Sequence, residues 1–188
     1  MSTKLTTFIV GPPRTGKTCI SNHLADLTES LGDRQYHPTQ GVRILEFDRS
    51  IPVNGKAVEV ACEVWDCSGD SRFHASWPAL ASSANAVIFV TSPDTRERDL
   101  DAWQNLFPAL APQQMAVFSH SYVGGGSANS KGARFRPLST SPLAKVAVLQ
   151  TSLETDPDAI RKEFDELQAA SYSLYRESAE KEEARLMA

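Results

Sequence analysis

Apolar residues along the chain fall into short blocks separated by polar segments, and these blocks predict an alternation of strands and helices. Continuous apolar runs are typical of strands buried on both faces of a parallel sheet. We predict strands at Leu5–Val10, Val42–Phe47, Ala57–Trp65, Ala86–Thr91, Met115–Ser119 and Val146–Gln150. Apolar spacing typical of helices predicts helical segments at Gly16–Leu31, Arg96–Phe107 and Asp156 to about Leu186. The order predicts one α/β domain over residues 1–188, with a six-stranded, mostly parallel sheet and helices on both faces.

One pair of predicted strands departs from the parallel arrangement. Asn54-Gly55 lies between the second and third predicted strands. An Asn-Gly pair between two apolar runs is a strong signal for a tight hairpin, because both residues tolerate positive φ. We therefore expect these two strands to be antiparallel and to form one edge of the sheet.

Two segments interrupt the alternation. Residues 123–140 contain Gly124-Gly125-Gly126 and several serines where an α/β fold would place its fourth helix. That composition predicts a flexible loop, and we favour a surface insertion over a docking segment.

The last helix begins at Asp156-Pro157, with an inward stripe of Ile160, Phe164, Leu167, Ser171 and Leu174. Residues 176–188 are mostly charged, and we favour a solvated helical tail over a partner-binding extension.

The first predicted strand runs directly into the sequence Gly11-Pro12-Pro13-Arg14-Thr15-Gly16-Lys17-Thr18. This is a complete Gly-x-x-x-x-Gly-Lys-Thr phosphate loop in its proper strand–loop–helix context. Backbone N–H groups of such a loop and of the following helix N-terminus bind a polyphosphate. Lys17 would supply positive charge to the β- and γ-phosphates, and the Thr18 hydroxyl would hold Mg²⁺. The predicted phosphate-binding residues are Gly11, Arg14, Thr15, Gly16, Lys17, Thr18 and Cys19.

Two further motifs narrow the kind of phosphate-binding protein. Asp66 and Gly69 form Asp-x-x-Gly at the end of the third strand. Asp66 can hold Mg²⁺, and the backbone of Gly69 can approach a γ-phosphate closely because it has no side chain. Between the two motifs, Thr39 can bind Mg²⁺ through its hydroxyl and the γ-phosphate through its amide, and such a loop can switch with nucleotide state. The predicted metal ligands are therefore Thr18, Thr39 and Asp66.

Composition excludes several other classes of protein. The formal net charge of −4 gives no basis for general nucleic-acid binding. The three cysteines have no metal-ligand spacing, and we expect reduced thiols in the cytoplasm. No apolar run approaches the ~20 residues that span a bilayer, and no lipidation motif is present. We expect no direct membrane anchor, so any attachment would go through a partner.

In their order, the three motifs resemble those of the Ras-like small GTPases, over most of the chain. Pro38–Phe47, Trp65-Asp66-Cys67, Trp77–Leu80 and Asp156-Pro157 resemble one branch more narrowly. That branch is the Rab-like GTPase subunit of the intraflagellar transport B complex, the intraflagellar transport protein twenty-two family. The resemblance implies a G domain that binds GTP or GDP with Mg²⁺ and acts in building cilia or flagella. It also implies coiled-coil partner subunits of that complex, and a location in the cytoplasm, axoneme and basal body.

Several positions depart from the Ras-like pattern. Asp70 stands where those proteins have the glutamine that orients water, and an aspartate can only accept hydrogen bonds. We therefore expect slow hydrolysis, with Lys17, Thr39 and Asp70 as the candidate catalytic residues, unless Asp70 is turned outward. Tyr122 stands where the Ras-like pattern has its guanine-binding aspartate.

Three other residues are candidates for contacts with the nucleotide base. His120 could pack on the purine, or it could be a surface histidine at a strand end. Ser152 and Leu153 could present backbone N–H groups to the guanine oxygen. We expect weak nucleotide affinity and a reduced preference for guanine over adenine.

Three functions remain open on this basis. The first is a GTP-binding switch subunit that hydrolyses slowly. The second is a pseudo-GTPase adaptor whose nucleotide only stabilises the fold. The third, a small P-loop kinase or ATPase, lacks an arginine-rich lid and is disfavoured by the pairing of Thr39 with the Asp-x-x-Gly motif.

Overall fold

A computed structural model of the protein describes residues 3–27, 37–121 and 135–187. Its six strands are β1 (Thr3–Val10), β2 (Val42–Val53), β3 (Lys56–Cys67), β4 (Ala86–Thr91), β5 (Met115–His120) and β6 (Ala147–Thr151). Its α-helices are α1 (Lys17–Leu24), α2 (Trp77–Ala81), α3 (Asp101–Gln104) and α4 (Pro157–Leu186). The strand order is β2-β3-β1-β4-β5-β6, and among these six strands only the β2–β3 pair is antiparallel. This confirms the predicted fold class, including the antiparallel edge strand.

Two apolar layers cover the sheet, one on each face. On one face, α1 and α4 pack through Ile20, Leu24, Ile160 and Phe164 against residues of β1, β3 and β4. On the other, Trp77, Trp103 and Phe107 are at most 4% exposed and pack against Phe8 and Phe89. β4 is buried along its whole length, as its continuous apolar sequence predicts.

The hairpin turn lies where Asn54-Gly55 predicts it, with φ of 49° and 76° at these residues. The two strands are longer than expected, twelve residues each, and residues 48–53 belong to β2 instead of a connection. Only one face of this part of β2 is covered by protein. Asp48, Ser50 and Pro52 are exposed, and Ile51 alone is fully buried there. Polar alternation on a half-covered strand is easily mistaken for a loop.

Two helix predictions were too long. α1 ends at Leu24, and residues 25–27 are not helical; Asp26 has a φ of 55°. The predicted helix at Arg96–Phe107 is instead a 3-10 turn at Glu97–Leu100 followed by the single turn α3. The Asp99 carboxylate accepts a hydrogen bond from the Arg96 backbone N–H at 2.8 Å, the capping-box contact that begins this 3-10 turn.

The glycine-rich segment at 123–140 is only partly described. Residues 135–140 contain no helix. Phe135 is 3% exposed and belongs to the core beside α3, and its backbone N–H donates to Ser119 Oγ at 3.2 Å. Leu138 donates its N–H to Glu97 Oε2 at 2.7 Å. The end of the segment is therefore fixed to the domain, while residues 123–134 lie outside the described part of the chain.

The C-terminal helix follows its sequence closely. Asp156 caps it by accepting the Ala159 N–H at 3.2 Å, and Pro157 occupies its first turn. The predicted stripe is buried through Ser171, and residues 176–187 are exposed. Its thirty residues correspond to about 45 Å. Among the described residues, no helix is both long enough and apolar enough to cross a bilayer.

Candidate functional site

The sequence motifs meet at one edge of the sheet. β1, β3, β4, β5 and β6 run parallel, so their carboxyl ends lie together. The phosphate loop leaves β1 there, Asp66 and Gly69 lie at the end of β3, and His120 ends β5. The fold thus places the phosphate loop beside the Asp-x-x-Gly motif at the end of β3 and beside His120 at the end of β5.

Close packing fixes the backbone of the loop. A Cβ atom at Gly11 would lie 2.2 Å from Val90 O, and one at Gly16 would lie 2.7 Å from His120 Cδ2. Both glycines also have positive φ, at 140° and 90°. Thr15 is buried and donates to Pro12 O at 3.0 Å, whereas Arg14 is exposed with a φ of 63°. The loop is therefore held by glycines at the two ends of its turn.

Lys17 lies inside this loop and is only 7% exposed. Its Nζ donates to Gly11 O at 2.9 Å and to Pro12 O at 2.6 Å. Burial lowers the pKa of the Lys17 ammonium to about 8, although the negative charge of Asp66 acts in the opposite direction. The loop thus encloses a cation whose burial is costly until an anion binds.

Asp66 is fully buried and brings the three predicted metal ligands together. Its Oδ2 accepts from Thr18 Oγ1 at 2.8 Å and from Thr39 Oγ1 at 3.4 Å, and the two hydroxyls are 3.0 Å apart. Burial raises the pKa of the Asp66 carboxyl, which the hydrogen bond from Thr18 and the charge of Arg43 oppose. Asp66 Oδ1 is buried without a hydrogen-bond partner in the described part of the chain.

These oxygen atoms fit Mg²⁺. Mg²⁺ binds through one or two carboxylates together with substrate phosphates, and hydroxyl oxygens are hard ligands of the same kind. The unpartnered Oδ1 of Asp66 is an acceptor that such a cation would satisfy. Within residues 3–27, 37–121 and 135–187, no group of three or more His, Cys, Asp or Glu forms a competing metal site.

Gly69 lies directly against the phosphate loop. A Cβ atom there would be 2.4 Å from Pro13 N, 2.6 Å from Pro12 C and 2.8 Å from Gly11 O. All three contacts are to backbone, so even one methyl group would force the loop to move. The Asp-x-x-Gly motif and the phosphate loop are therefore in contact in this structure.

Asp70 is not part of this cluster. Its carboxylate accepts from the Arg72 backbone N–H at 2.9 Å, from Nε at 2.9 Å and from Nη2 at 2.7 Å. These hydrogen bonds lower the pKa of Asp70. The side chain caps the 3-10 turn at Ser71–Ser76, which is the outward orientation that the sequence left open.

His120 is near the loop but is not a surface residue. It is 3% exposed, lies beneath Gly16, and places Nδ1 3.1 Å from Thr151 Oγ1. Burial lowers its pKa to about 4, so the imidazole is neutral at pH 7. Of the two alternatives for His120, the surface position is therefore wrong, and packing on a purine stays a prediction.

The other residues predicted to contact the base have no contact with the phosphate loop among the hydrogen bonds described. Ser152 is 9% exposed, its Oγ accepts from Glu154 N at 3.3 Å, and its carbonyl accepts from Asp156 N at 3.1 Å. Leu153 packs against the core beneath α4. Cys19 is half-buried in the first turn of α1, and Tyr122 lies outside the described residues.

Sequence reasoning missed Arg43 as a site residue. Its Nη2 lies 3.5 Å from Asp66 Oδ2 and donates to Asn22 Oδ1 at 2.6 Å. The register of the hairpin places Arg43 opposite Asp66 across the β2–β3 pair. Counting outward from the two-residue turn at Asn54-Gly55 gives this pairing, so the signal was present in the sequence.

Comparison with known proteins agrees with this geometry. The family model described as "Ras of Complex, Roc, domain of DAPkinase" matches residues 6–121. A relative from Danio rerio, "Intraflagellar transport protein 22 homolog", is 35% identical over 186 residues, which are 96% of this chain and 96% of the relative. The chain belongs to the intraflagellar transport protein 22 family. The Homo sapiens homologue is 36% identical over 187 residues, again 96% of both chains.

More distant members of the family share the fold. The Trypanosoma brucei brucei protein "Intraflagellar transport protein 22" is 27% identical, covering 85% of this chain and 82% of its own length. The "T. brucei IFT22/74/81 GTP-bound crystal structure" has a TM-score of 0.70 at 23% identity, over 93% of this chain and 98% of that one. The "T. brucei IFT22 GDP-bound crystal structure" has a TM-score of 0.62 at 25% identity, over 87% and 93%.

Proposed function

We propose that this protein binds GTP and GDP with Mg²⁺ and acts as a small-GTPase-like subunit of the intraflagellar transport B complex. Its place would be the cytoplasm and the cilium or flagellum, including the axoneme and basal body. The observation that carries the proposal is the cluster of Lys17, Thr18, Thr39 and Asp66 around a fixed phosphate loop. The GTP-bound and GDP-bound structures of T. brucei relatives support the choice of guanine nucleotides.

Different residues would bind the phosphates and the metal ion. Loop amides and the N-terminus of α1 would bind the β- and γ-phosphates, with Lys17 moving its Nζ from the Gly11 and Pro12 carbonyls to phosphate oxygens. Thr18, Thr39 and Asp66 would hold Mg²⁺, which neutralises phosphate charge when bound. Gly69 would present its backbone to the γ-phosphate. On this proposal, loss of the γ-phosphate frees Thr39 and Gly69 together.

Hydrolysis would be slow. Phosphoryl transfer to water depends on positioning the water and stabilising charge. Asp70 can only accept hydrogen bonds, and three donor groups of Arg72 already engage its carboxylate. No side chain then orients the attacking water from this position. Lys17 and Thr39 would retain their roles in binding the phosphate charge.

The nucleotide state would control docking to coiled-coil partner subunits. Thr39 contacts Thr18 and Asp66, so the segment that carries Thr39 is coupled to the metal and phosphate site. Gly69 touches the loop and is followed by the Ser71–Ser76 turn, so the second motif is coupled as well. The solved T. brucei assembly of IFT22/74/81 supports partners of the same kind for this chain.

A second function is favoured by the orientation of Asp70 and by the altered base-binding residues. In that function the protein is a structural adaptor, and bound nucleotide only stabilises its fold. The two functions differ in one measurable respect, because an adaptor would bind its partner equally well in the GTP and GDP forms.

Fluorescent-nucleotide titration and partner pull-down test both functions. Affinities for GTP, GDP and ATP are measured with Mg²⁺ for the wild type, Asp66→Asn and the control Asp101→Asn, an exposed aspartate on α3. We expect the wild type to bind GTP and GDP. Asp66→Asn should lower the affinity at least about tenfold, and Asp101→Asn should leave it unchanged. Stronger pull-down of the coiled-coil partners with GTP than with GDP supports the switch. Equal pull-down supports the adaptor, and no nucleotide binding by the wild type refutes both.

A further inference from the structure

Arg43 forms an ion pair with the Asp66 carboxylate, the proposed metal ligand, but no hydrogen bond to it. The guanidinium Nη2 is 3.5 Å from Asp66 Oδ2, while the same nitrogen donates to Asn22 Oδ1 at 2.6 Å. The Arg43 side chain is 39% exposed, and the Asp66 side chain is fully buried. The shorter contact is with Asn22 of α1, so the guanidinium is hydrogen-bonded to Asn22 and pairs with Asp66 at a longer distance.

Both groups retain unused hydrogen-bonding capacity. Arg43 Nε and Asp66 Oδ1 are buried atoms without hydrogen-bond partners in the described ranges of the chain. A bidentate arginine–carboxylate pair would satisfy one donor and one acceptor of this kind, and such pairs are strong and geometrically specific. A small rotation of the guanidinium away from Asn22 would therefore improve its bonding to Asp66.

The charges around Asp66 make this exchange consequential. Asp66 is a buried carboxylate with two neighbouring cations, Arg43 and Lys17, and two hydroxyls. A buried carboxylate requires a compensating positive charge. When Lys17 binds phosphate and a metal binds Asp66, Arg43 becomes an excess positive charge beside a divalent cation.

We propose that Arg43 is the counter-charge of Asp66 when no metal is bound, and that Mg²⁺ competes with the Arg43 guanidinium for this carboxylate. Asn22 acts as the alternative partner that receives Arg43 when the metal is present. Arg43 is thus a positioning residue that sets the Mg²⁺ concentration at which nucleotide is retained. The inference rests on the proposed Mg²⁺–nucleotide site. Because Arg43 lies near the start of β2, the exchange also couples the metal to the edge of the sheet that follows Thr39.

The test measures the release rate of a fluorescent GDP analogue as a function of free Mg²⁺. Arg43→Gln removes the charge and keeps a group that can bond to Asn22. Asn22→Ala keeps the charge and removes the alternative partner. Arg49→Gln is the matched control, because Arg49 is on the same strand but pairs with Asp165 of α4, at 2.5 Å. Circular dichroism verifies that each variant folds.

We expect the two site variants to move the Mg²⁺ midpoint in opposite directions. Arg43→Gln lowers the midpoint about fivefold, the size typical of a partly exposed ion pair. Asn22→Ala raises it, because the guanidinium is then released to Asp66. Arg49→Gln stays at the wild-type value.

Hydrogen exchange of the nucleotide-free protein gives a second readout that involves no metal. Arg43→Gln should speed exchange at residues 39–43, whereas Arg43→Lys, which keeps the charge, should do so less.

The results separate this inference from the function on which it rests. A midpoint for Arg43→Gln equal to that of Arg49→Gln, or an Asn22→Ala shift in the same direction as Arg43→Gln, overturns the competition and leaves nucleotide binding intact. A lowered Arg43→Gln midpoint with an unchanged Asn22→Ala midpoint supports the competition between Arg43 and Mg²⁺ and overturns the role of Asn22. Nucleotide release by the wild type that does not depend on Mg²⁺ overturns the proposed metal site and the competition together.

Discussion

Burial of Lys17 should make the stability of the nucleotide-free protein rise with pH. The pKa of this ammonium falls from its ordinary value of 10.5 to about 8 in the folded protein, because the group is removed from water. Between pH 8 and 10.5 the unfolded chain therefore binds more protons at Lys17 than the folded chain does. Stability increases with pH wherever the unfolded state binds more protons, so the penalty is full below pH 8 and is relieved above it.

The size of this effect follows from the two pKa values. A difference of 2.5 pKa units, between 10.5 and about 8, corresponds to a penalty of about 3 kcal/mol at pH 7. At pH 9 the folded protein has mostly lost the proton from Lys17, and the penalty is smaller by roughly 1 kcal/mol. Lys17 is 7% exposed, so solvent screening reduces the value little.

Urea unfolding at pH 7, 8 and 9 measures this difference against the variant Lys17→Met. The wild type should gain roughly 1 kcal/mol relative to Lys17→Met between pH 7 and 9. Lys56→Met, in the exposed part of the hairpin, is the control for removing a lysine. Burial also raises the pKa of the Cys62 thiol to about 12, which lowers stability above pH 9, so the comparison stops there and uses differences. Parallel pH profiles for the wild type and Lys17→Met would refute the reasoning.

Three further changes test the packing around the site. Gly69→Ala should weaken GTP binding at least about tenfold, because its Cβ would meet the backbone of Pro13 at 2.4 Å; Gly55→Ala, with nothing within 4 Å, should leave GTP affinity unchanged in the same titration. His120→Gln should reduce the loss of stability that urea unfolding detects as pH falls from 6.5 to about 4, since burial keeps the folded imidazole neutral; the lowered pKa of His23 contributes the same kind of loss and is unaffected. Phe135→Ala should cost about 3–5 kcal/mol in the same assay, and a cost under ~1 kcal/mol would contradict its place in the core.

Those parts of the fold that local chemistry determines could be predicted from the sequence. The turn at Asn54-Gly55 needs positive φ at two successive residues, and few other pairs supply it. β4 is buried on both faces, so every residue from Ala86 to Thr91 is compatible with a core strand. The outer half of β2 was not predicted, because its polar outward positions carry no signal that separates a half-covered strand from a loop.

The candidate site divides in the same way. Lys17, Thr18, Asp66 and Gly69 belong to motifs at the carboxyl ends of β1 and β3, and Thr39 precedes β2, whose first residue pairs with the end of β3. The motifs and their predicted strands together indicate this placement. The direction of the Asp70 side chain depends on its hydrogen bonds with the Arg72 side chain, and the spacing of the motif does not predict them. Burial of Phe135 depends on a chain that returns to the core after the glycine-rich segment, which composition alone cannot indicate.

The residues predicted to bind phosphate are thus held in place by more contacts than the residues predicted to bind the base. Glycine contacts of 2.2–2.8 Å for added Cβ atoms fix the loop from three sides, through Val90, His120 and Gly69. On the base side, His120 is turned beneath Gly16, and its neutral ring bonds to Thr151. In the proposed function, loop amides, Lys17 and the predicted metal ligands would contact only phosphates and metal, so their binding energy would not distinguish guanine from adenine. Affinity for nucleotide should therefore survive changes at His120 better than changes at Asp66. On the same proposal, discrimination between triphosphate and diphosphate would depend on Thr39, which contacts Thr18 and Asp66, and on Gly69, which contacts the phosphate loop.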